Sequence, residues 1–128
     1  IEEGLSWPFA DVFSEDEFLG YFCGHIAVSV MESANLAGMF YVKPNFPDRC
    51  SGICNGGFLV HPAYRGRGVG KLMGRHFLRV GRDAGFSGSL FNLVFANNEA
   101  SLGVWRSLGF AQSGKIPRCA SLKVLPRV

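Results

Sequence analysis

A chain of 128 residues with 48% hydrophobic and 13% aromatic content reads as one domain with its own core, which excludes a disordered segment. Its formal net charge of +3 is too small to mark a nucleic-acid surface, and no apolar run approaches the roughly 20 residues that span a bilayer. Four scattered cysteines, Cys23, Cys50, Cys54 and Cys119, point to a reducing, cytoplasmic setting rather than a disulfide framework.

The opening IEEGLSW has no basic stretch leading into an apolar one, so it does not read as a secretory leader. Without an initiator methionine, the chain reads as part of a longer or processed protein. SEDEFLGYF predicts a helix with Ser14 as N-cap, Glu17 three residues on, and Phe18, Leu19 and Phe22 as its buried face. HIAVSVM (25–31) alternates and reads as a strand, NLAG as a turn, and MFYVK (39–43) as the hairpin partner. PNFPDRCSGICNGG (44–57) reads as a long loop, of a length that often carries function.

FLVH (58–61) predicts a short buried strand. A helix from Val69 to about Ala84 follows, with Leu72, Met73, Phe77, Leu78 and Val80 at near-helical spacing and Gly85 closing it. SLFNLVFA (89–96) predicts a strand covered on both faces. NNEASLGVWRSLGF (97–110) predicts a helix started by Asn97 or Asn98 and ended by Gly109, with Leu102, Trp105 and Leu108 inward. A last pair of strands is expected near 110–116 and 120–125. This order implies an α/β fold, a central mixed sheet with helices on both faces, and there are no repeats or linkers.

Between the 58–61 strand and its helix lies Arg65-Gly66-Arg67-Gly68-Val69-Gly70. Glycines let backbone amides converge, and a helix N-terminus carries partial positive charge, so the turn suits an anion, with Arg65, Arg67 and Lys71 beside it. It lacks the Gly-Lys-Ser/Thr ending of a Walker loop and the spacing of a dinucleotide fingerprint. A tight turn with solvated arginines is the plain alternative.

Arg65-x-x-Gly68-x-Gly70, followed about thirty residues later by the Asn-led helix ending in Leu108-Gly109-Phe110, resembles the Gcn5-related N-acetyltransferase (GNAT) superfamily over roughly residues 20–118. FYVKPNFPDRC, CNGGFLV and FNLVF are similar to the fungal proline-analogue N-acetyltransferases, and also to the acetyltransferase domain of a fungal regulator of histone-gene transcription. The resemblance implies one acetyltransferase domain over 1–128, without the N-terminal part of a longer protein. It implies a mostly antiparallel mixed sheet splayed at an acetyl-CoA site, and direct transfer in a ternary complex. It also implies a homodimer.

By that resemblance, the backbone of Phe58, Leu59 and Val60 holds the pantetheine arm. Arg65, Gly66, Arg67, Gly68, Val69, Gly70 and Lys71 hold the pyrophosphate, and Asn98, Ser101 and Trp105 complete the cofactor side. Many relatives use a Glu base and a Tyr acid. Here Trp105 occupies the usual Tyr position, and no carboxylate lies between Cys50 and Lys71. The proline-analogue enzymes use asparagines instead. The likeness implies Asn92 and Asn98 as catalytic groups, with Asn55 gripping a substrate carboxylate and Phe58, Phe95 and Trp7 walling the acceptor site.

Each has a plain alternative. Asn55 also reads as a turn residue, Asn98 as a helix cap, Asn92 as a satisfied core amide, Phe58 and Phe95 as core, and Trp7 as surface packing. Cys50-x3-Cys54 is an incomplete zinc motif, so no metal is expected. Lys71, Arg75, Arg79 and Arg82 share one helix face and read as solvated, with the start of that face near the 3′-phosphate of CoA; nucleic acid is not an expected partner. The leading reading is acetylation of a small cyclic imino acid such as azetidine-2-carboxylate. Its rivals are a nuclear, histone-type protein lysine acetyltransferase and a catalytically idle CoA-binding domain.

Overall fold

In the computed structural model, which describes residues 6–122, α1 (Glu15–Cys23) opens with a reciprocal capping box. Glu17 N–H donates to Ser14 Oγ at 3.3 Å, and Ser14 N–H donates to the Glu17 carboxylate at 2.8 Å. Hydrogen bonds from the Ser14 backbone and hydroxyl hold the Glu17 carboxyl below its ordinary value. Phe22 is buried with Phe18 half-buried beside it, but Leu19, expected on that face, is 47% exposed. Tyr21 turns inward in its place, because the edge of α1 that meets the sheet packs on Tyr41.

β1 (Ile26–Glu32) and β2 (Asn35–Pro44) form an antiparallel hairpin in which Glu32 faces Asn35. The turn is therefore Ser33–Ala34 rather than 35–38, with Ser33 at a left-handed φ of +54°. Gly38 lies inside β2, where a Cβ would stand 2.7 Å from the Leu59 carbonyl oxygen and 3.0 Å from the Met73 sulfur. Close approach of backbone and core, not turning, is what requires glycine there.

The 44–57 segment is only partly loop. A 3₁₀ turn at Asp48–Cys50 leads into β3 (Ile53–Asn55), and β4 (Phe58–Val60) follows after two glycines. Both strands pair antiparallel with β2, β3 at Lys43–Pro44 and β4 at Gly38–Phe40. After α2 (Val69–Asp83), β5 (Gly88–Ser89) pairs parallel with β3 and not with β4, and α3 (Glu99–Ser107) comes last. The sheet is mixed and mostly antiparallel. Among the described residues β4 has β2 as its only ladder partner, so its other edge stands open.

Alternation along β2 divides the packing. Phe40 and Val42 meet Met73 and Phe77 of α2, together with Cys54, in a fully enclosed core. Each such large side chain contributes about 1.5–3 kcal/mol by leaving water. Tyr41 points the other way, its ring centroid 5.0 Å from that of Phe22 in α1. Leu72, expected to face the core, is 43% exposed.

Two expected strands are missing among the described residues. Of 89–96, only Ser89 belongs to a strand; Leu90 N–H adds a bond to the Cys54 carbonyl at 2.9 Å, and 91–95 have no ladder. Ring contacts hold that apolar run instead, Phe91 stacking on Trp105 at 4.2 Å. Residues 110–116 are irregular and exposed from 111 onward, since Gln112, Ser113 and Gly114 offer no alternating apolar face. Most of the strand expected at 120–125 lies outside the described residues.

Candidate active site

The glycine turn folds as its chemistry requires. Gly66 and Gly68 have φ of +74° and +80°, a region that disfavours any side chain. Gly68 is the N-cap of α2 and supplies no capping side chain, and the first intrahelical bond runs from Leu72 N–H to its carbonyl at 3.0 Å. The N–H groups of Val69, Gly70 and Lys71 are therefore left for a ligand. Arg67 does not face this nest. Its guanidinium pairs with Glu32 at 3.1 Å and lies 4.7 Å from the Tyr64 ring centroid.

The open edge of β4 is equally specific. Tyr41 N–H donates to the Gly57 carbonyl at 3.1 Å, and His61 N–H to the Ala37 carbonyl at 2.9 Å. Antiparallel alternation then turns the polar backbone groups of Phe58 and Val60 away from β2, onto the unpaired side.

A cavity of about 780 Å³ begins there. One end is bounded by Val60, Gly70, Ser101, Val104 and Trp105, the other by Trp7, Tyr21, Tyr41, Lys43, Asn45 and Asn55. Gly56 and Gly57 line the cavity as well. A Cβ on Gly56 would strike Phe77 on the α2 face, and one on Gly57 would strike Tyr41 and Trp7 on the α1 face. Phe58, Asn92 and Asn98 also line the space. Phe95 does not; it is half-buried, and its carbonyl accepts the Asn98 N–H at 3.0 Å. Leu59 sits among Phe13, Phe18 and Phe22 under α1. Arg65, Gly66, Arg67, Gly68, Val69 and Lys71 lie outside the cavity wall, which α2 reaches at Gly70.

Three asparagines are linked along the cavity wall. Gly56 N–H donates to Asn55 Oδ1 at 2.8 Å, which fixes the Asn55 amide, since a backbone N–H must meet an oxygen. Asn55 Nδ2 then donates to Asn45 Oδ1 at 3.0 Å and to Asn92 Oδ1 at 2.7 Å. Both hydrogens of Asn55 are thereby used, and Asn92 is left with its own Nδ2 to offer. Asn92 itself is exposed, not enclosed in a strand as its apolar neighbours suggest. Asn45 Nδ2 is buried without a hydrogen-bond partner on the same wall.

At the other end Asn98 caps α3, its Oδ1 accepting from Ser101 N–H at 3.1 Å, so its Nδ2 is also unspent. Trp105 Nε1–H donates to Ser101 Oγ at 2.9 Å, leaving the Ser101 hydroxyl hydrogen available. Tyr21 and Tyr41 join hydroxyl to hydroxyl at 3.1 Å; burial first, and then that bond, pushes the Tyr41 phenol well above its ordinary value. Burial likewise raises the Cys54 thiol, while Cys50 is exposed, and no group of three or more metal-binding side chains is found among the described residues.

Sequence reasoning missed Lys43, Asn45, Tyr21, Tyr41 and His25, all on the cavity wall. Reading 44–57 as a loop hid the register that sets Lys43 opposite Asn55.

A profile of the acetyltransferase (GNAT) family matches residues 2–110. The N-acetyltransferase aca1 of Schizosaccharomyces pombe is 38% identical over 141 residues, covering 96% of this chain and 68% of that protein. A GCN5-related N-acetyltransferase from Kribbella flavida superposes with a TM-score of 0.85 at 24% identity, over 93% of this chain and 74% of the other. The yncA protein of Salmonella typhimurium, solved with acetyl-CoA, superposes at 0.79 with 18% identity, over 91% and 70%. The two structures bear on the fold, the profile and the yeast relative on descent. The chain belongs to the acetyltransferase (GNAT) family: it is an acetyl-CoA-dependent N-acetyltransferase.

Proposed function

We propose that this enzyme acetylates the ring nitrogen of a small cyclic imino acid, azetidine-2-carboxylate or a proline analogue, by direct transfer in a ternary complex. Its proposed setting is the cytoplasm, where it would remove a toxic amino-acid mimic. The observation that carries this reading is the linked Asn45–Asn55–Asn92 wall of one cavity that also opens onto the β4 edge.

The residues present fit acetyl-CoA. The uncapped N–H groups of Val69, Gly70 and Lys71 suit a pyrophosphate, and the outward N–H and C=O groups of Phe58 and Val60 suit the amides of a pantetheine arm. Bound there, acetyl-CoA supplies the acetyl group as an activated thioester. Gly66 and Gly68 shape the turn, with Arg65 and Lys71 at its border.

The chain's own groups then act by position and charge. Asn92 Nδ2, Asn98 Nδ2 and the Ser101 hydroxyl are donors with hydrogens to spend on the cavity. Asn55 is a positioning residue, because its donors are committed to holding Asn45 and Asn92. Amides are no bases near neutral pH, and no Asp or Glu lines the cavity among the described residues. The amine proton leaves to water at the mouth, to the acceptor's own carboxylate or to His25, the one imidazole on the wall among the described residues.

Thiol release from acetyl-CoA tests the reading with azetidine-2-carboxylate, proline and a histone-tail peptide as acceptors. Release with the imino acid is expected. Release only with the peptide would make this a protein lysine acetyltransferase, and silence with all three an idle CoA-binding domain.

A further inference from the structure

We infer that Lys43 anchors the carboxylate of the acceptor and makes the enzyme prefer an amine that carries a negative charge. The inference rests on the small-imino-acid reading and adds the residue that selects within it.

Lys43 is directly opposite Asn55 across the β2–β3 ladder, so the two side chains rise side by side from the face that carries the acceptor end. Its Nζ lies 4.9 Å from the Tyr21 ring centroid and 5.4 Å from that of Tyr41. Two aromatic faces hold the ammonium at the wall without neutralising it. No carboxylate pairs with it among the described residues. The cavity therefore has a fixed cation and, among the described residues, no fixed anion.

That asymmetry discriminates between acceptors. An amine in a cationic cavity is repelled unless it brings its own counter-charge, which an α-carboxylate does. Polycationic acceptors, such as an aminoglycoside or a histone tail, bring more of the disfavoured sign. Asn55 does not serve as the anchor, since both its amide hydrogens are already bonded. Asn92, its Oδ1 held by Asn55, can add a neutral hydrogen bond beside the lysine.

The test compares wild type, Lys43→Met and Lys43→Arg on azetidine-2-carboxylate, its carboxamide and unsubstituted azetidine, with CoA affinity followed by tryptophan fluorescence. Wild type should favour the carboxylate. Lys43→Met should raise its KM about 10–100-fold, the worth of one charge-assisted bond, with kcat within about threefold. The two amines without a carboxylate should bind no worse and, freed of the repulsion, somewhat better; CoA binding should stay as it was, and Lys43→Arg should recover much of the loss. A Lys43→Met enzyme that still prefers the carboxylate overturns the anchor and leaves the acceptor reading standing. So does a wild type that accepts the carboxamide equally well. Inactivity of wild type on all three amines overturns the acceptor reading, and the anchor with it.

Discussion

Replacing Gly57 with alanine tests whether the acceptor end of the cavity is a separate piece of machinery from the cofactor end. The new methyl would lie 2.4 Å from Tyr41 Cε1 and 2.6 Å from Trp7 Cη2. Carbon atoms in contact settle at about 3.5–4.0 Å, so both rings must swing by about 1 Å or more. Tyr41 is buried against Tyr21 and Phe22, but it is a side chain and not backbone, which places the cost within the usual overpacking range, about 1–3 kcal/mol. Moving Tyr41 breaks its 3.1 Å bond to Tyr21 and disturbs the seat of Lys43. The acceptor KM should therefore rise about tenfold or more, while the acetyl-CoA KM stays put, because the α2 turn and the β4 edge are untouched.

Gly56→Ala is the contrast. Its methyl would meet the Tyr41 carbonyl oxygen and Phe77 Cε2, both at 2.6 Å, and neither strand backbone nor core ring can retreat. That variant should lose about 3 kcal/mol or more of stability. Denaturant titration followed by tryptophan fluorescence gives the stabilities, and two-substrate kinetics the KM values. Equal rises in both KM values for Gly57→Ala, or none, would refute the reasoning.

Asn55→Ala should destabilise by about 1–3 kcal/mol, since Asn45, Asn92 and the Gly56 N–H all lose a partner, and Asn55→Asp should lose more activity than Asn55→Ala by setting carboxylate oxygens against the two Oδ1 atoms. Denaturation and acceptor kinetics on both variants check this. The lowered carboxyl of Glu17 gives stability that is full above its ordinary value of 4.5 and is lost as pH falls through the lower folded-state value, so the difference in urea midpoint between wild type and Glu17→Gln should shrink in that acid window. The raised Tyr41 phenol runs the other way. Its contribution is full below the ordinary value of 10.0 and falls as pH rises past it, where the unfolded chain ionises first, and Tyr41→Phe should flatten that alkaline loss in a denaturation series.

Much of this molecule was legible from short-range chemistry. The capping box at Ser14 and Glu17, the glycine turn, and the helix carrying Met73 and Phe77 depend on neighbours within a few residues, and all three formed as read. What was hidden depends on pairing. Whether 89–96 becomes a strand is decided by what lies beside it, and here β4 parts from it, leaving apolar residues that read as a strand but are held by Phe58, Phe91 and Trp105. Lys43 and Asn45 went unnoticed because what sets them beside Asn55 on the cavity wall is pairing with a residue ten or more positions away. Asn92, singled out by the family resemblance, is exposed, which the apolar run around it did not foretell.

The central claim is direct acetyl transfer between two ligands that share one cavity. Initial rates of thiol release, with acetyl-CoA and azetidine-2-carboxylate varied together, test it. Intersecting double-reciprocal lines, with N-acetylated imino acid formed in step with free CoA, are predicted. Parallel lines, or thiol release indifferent to the imino acid, would contradict it.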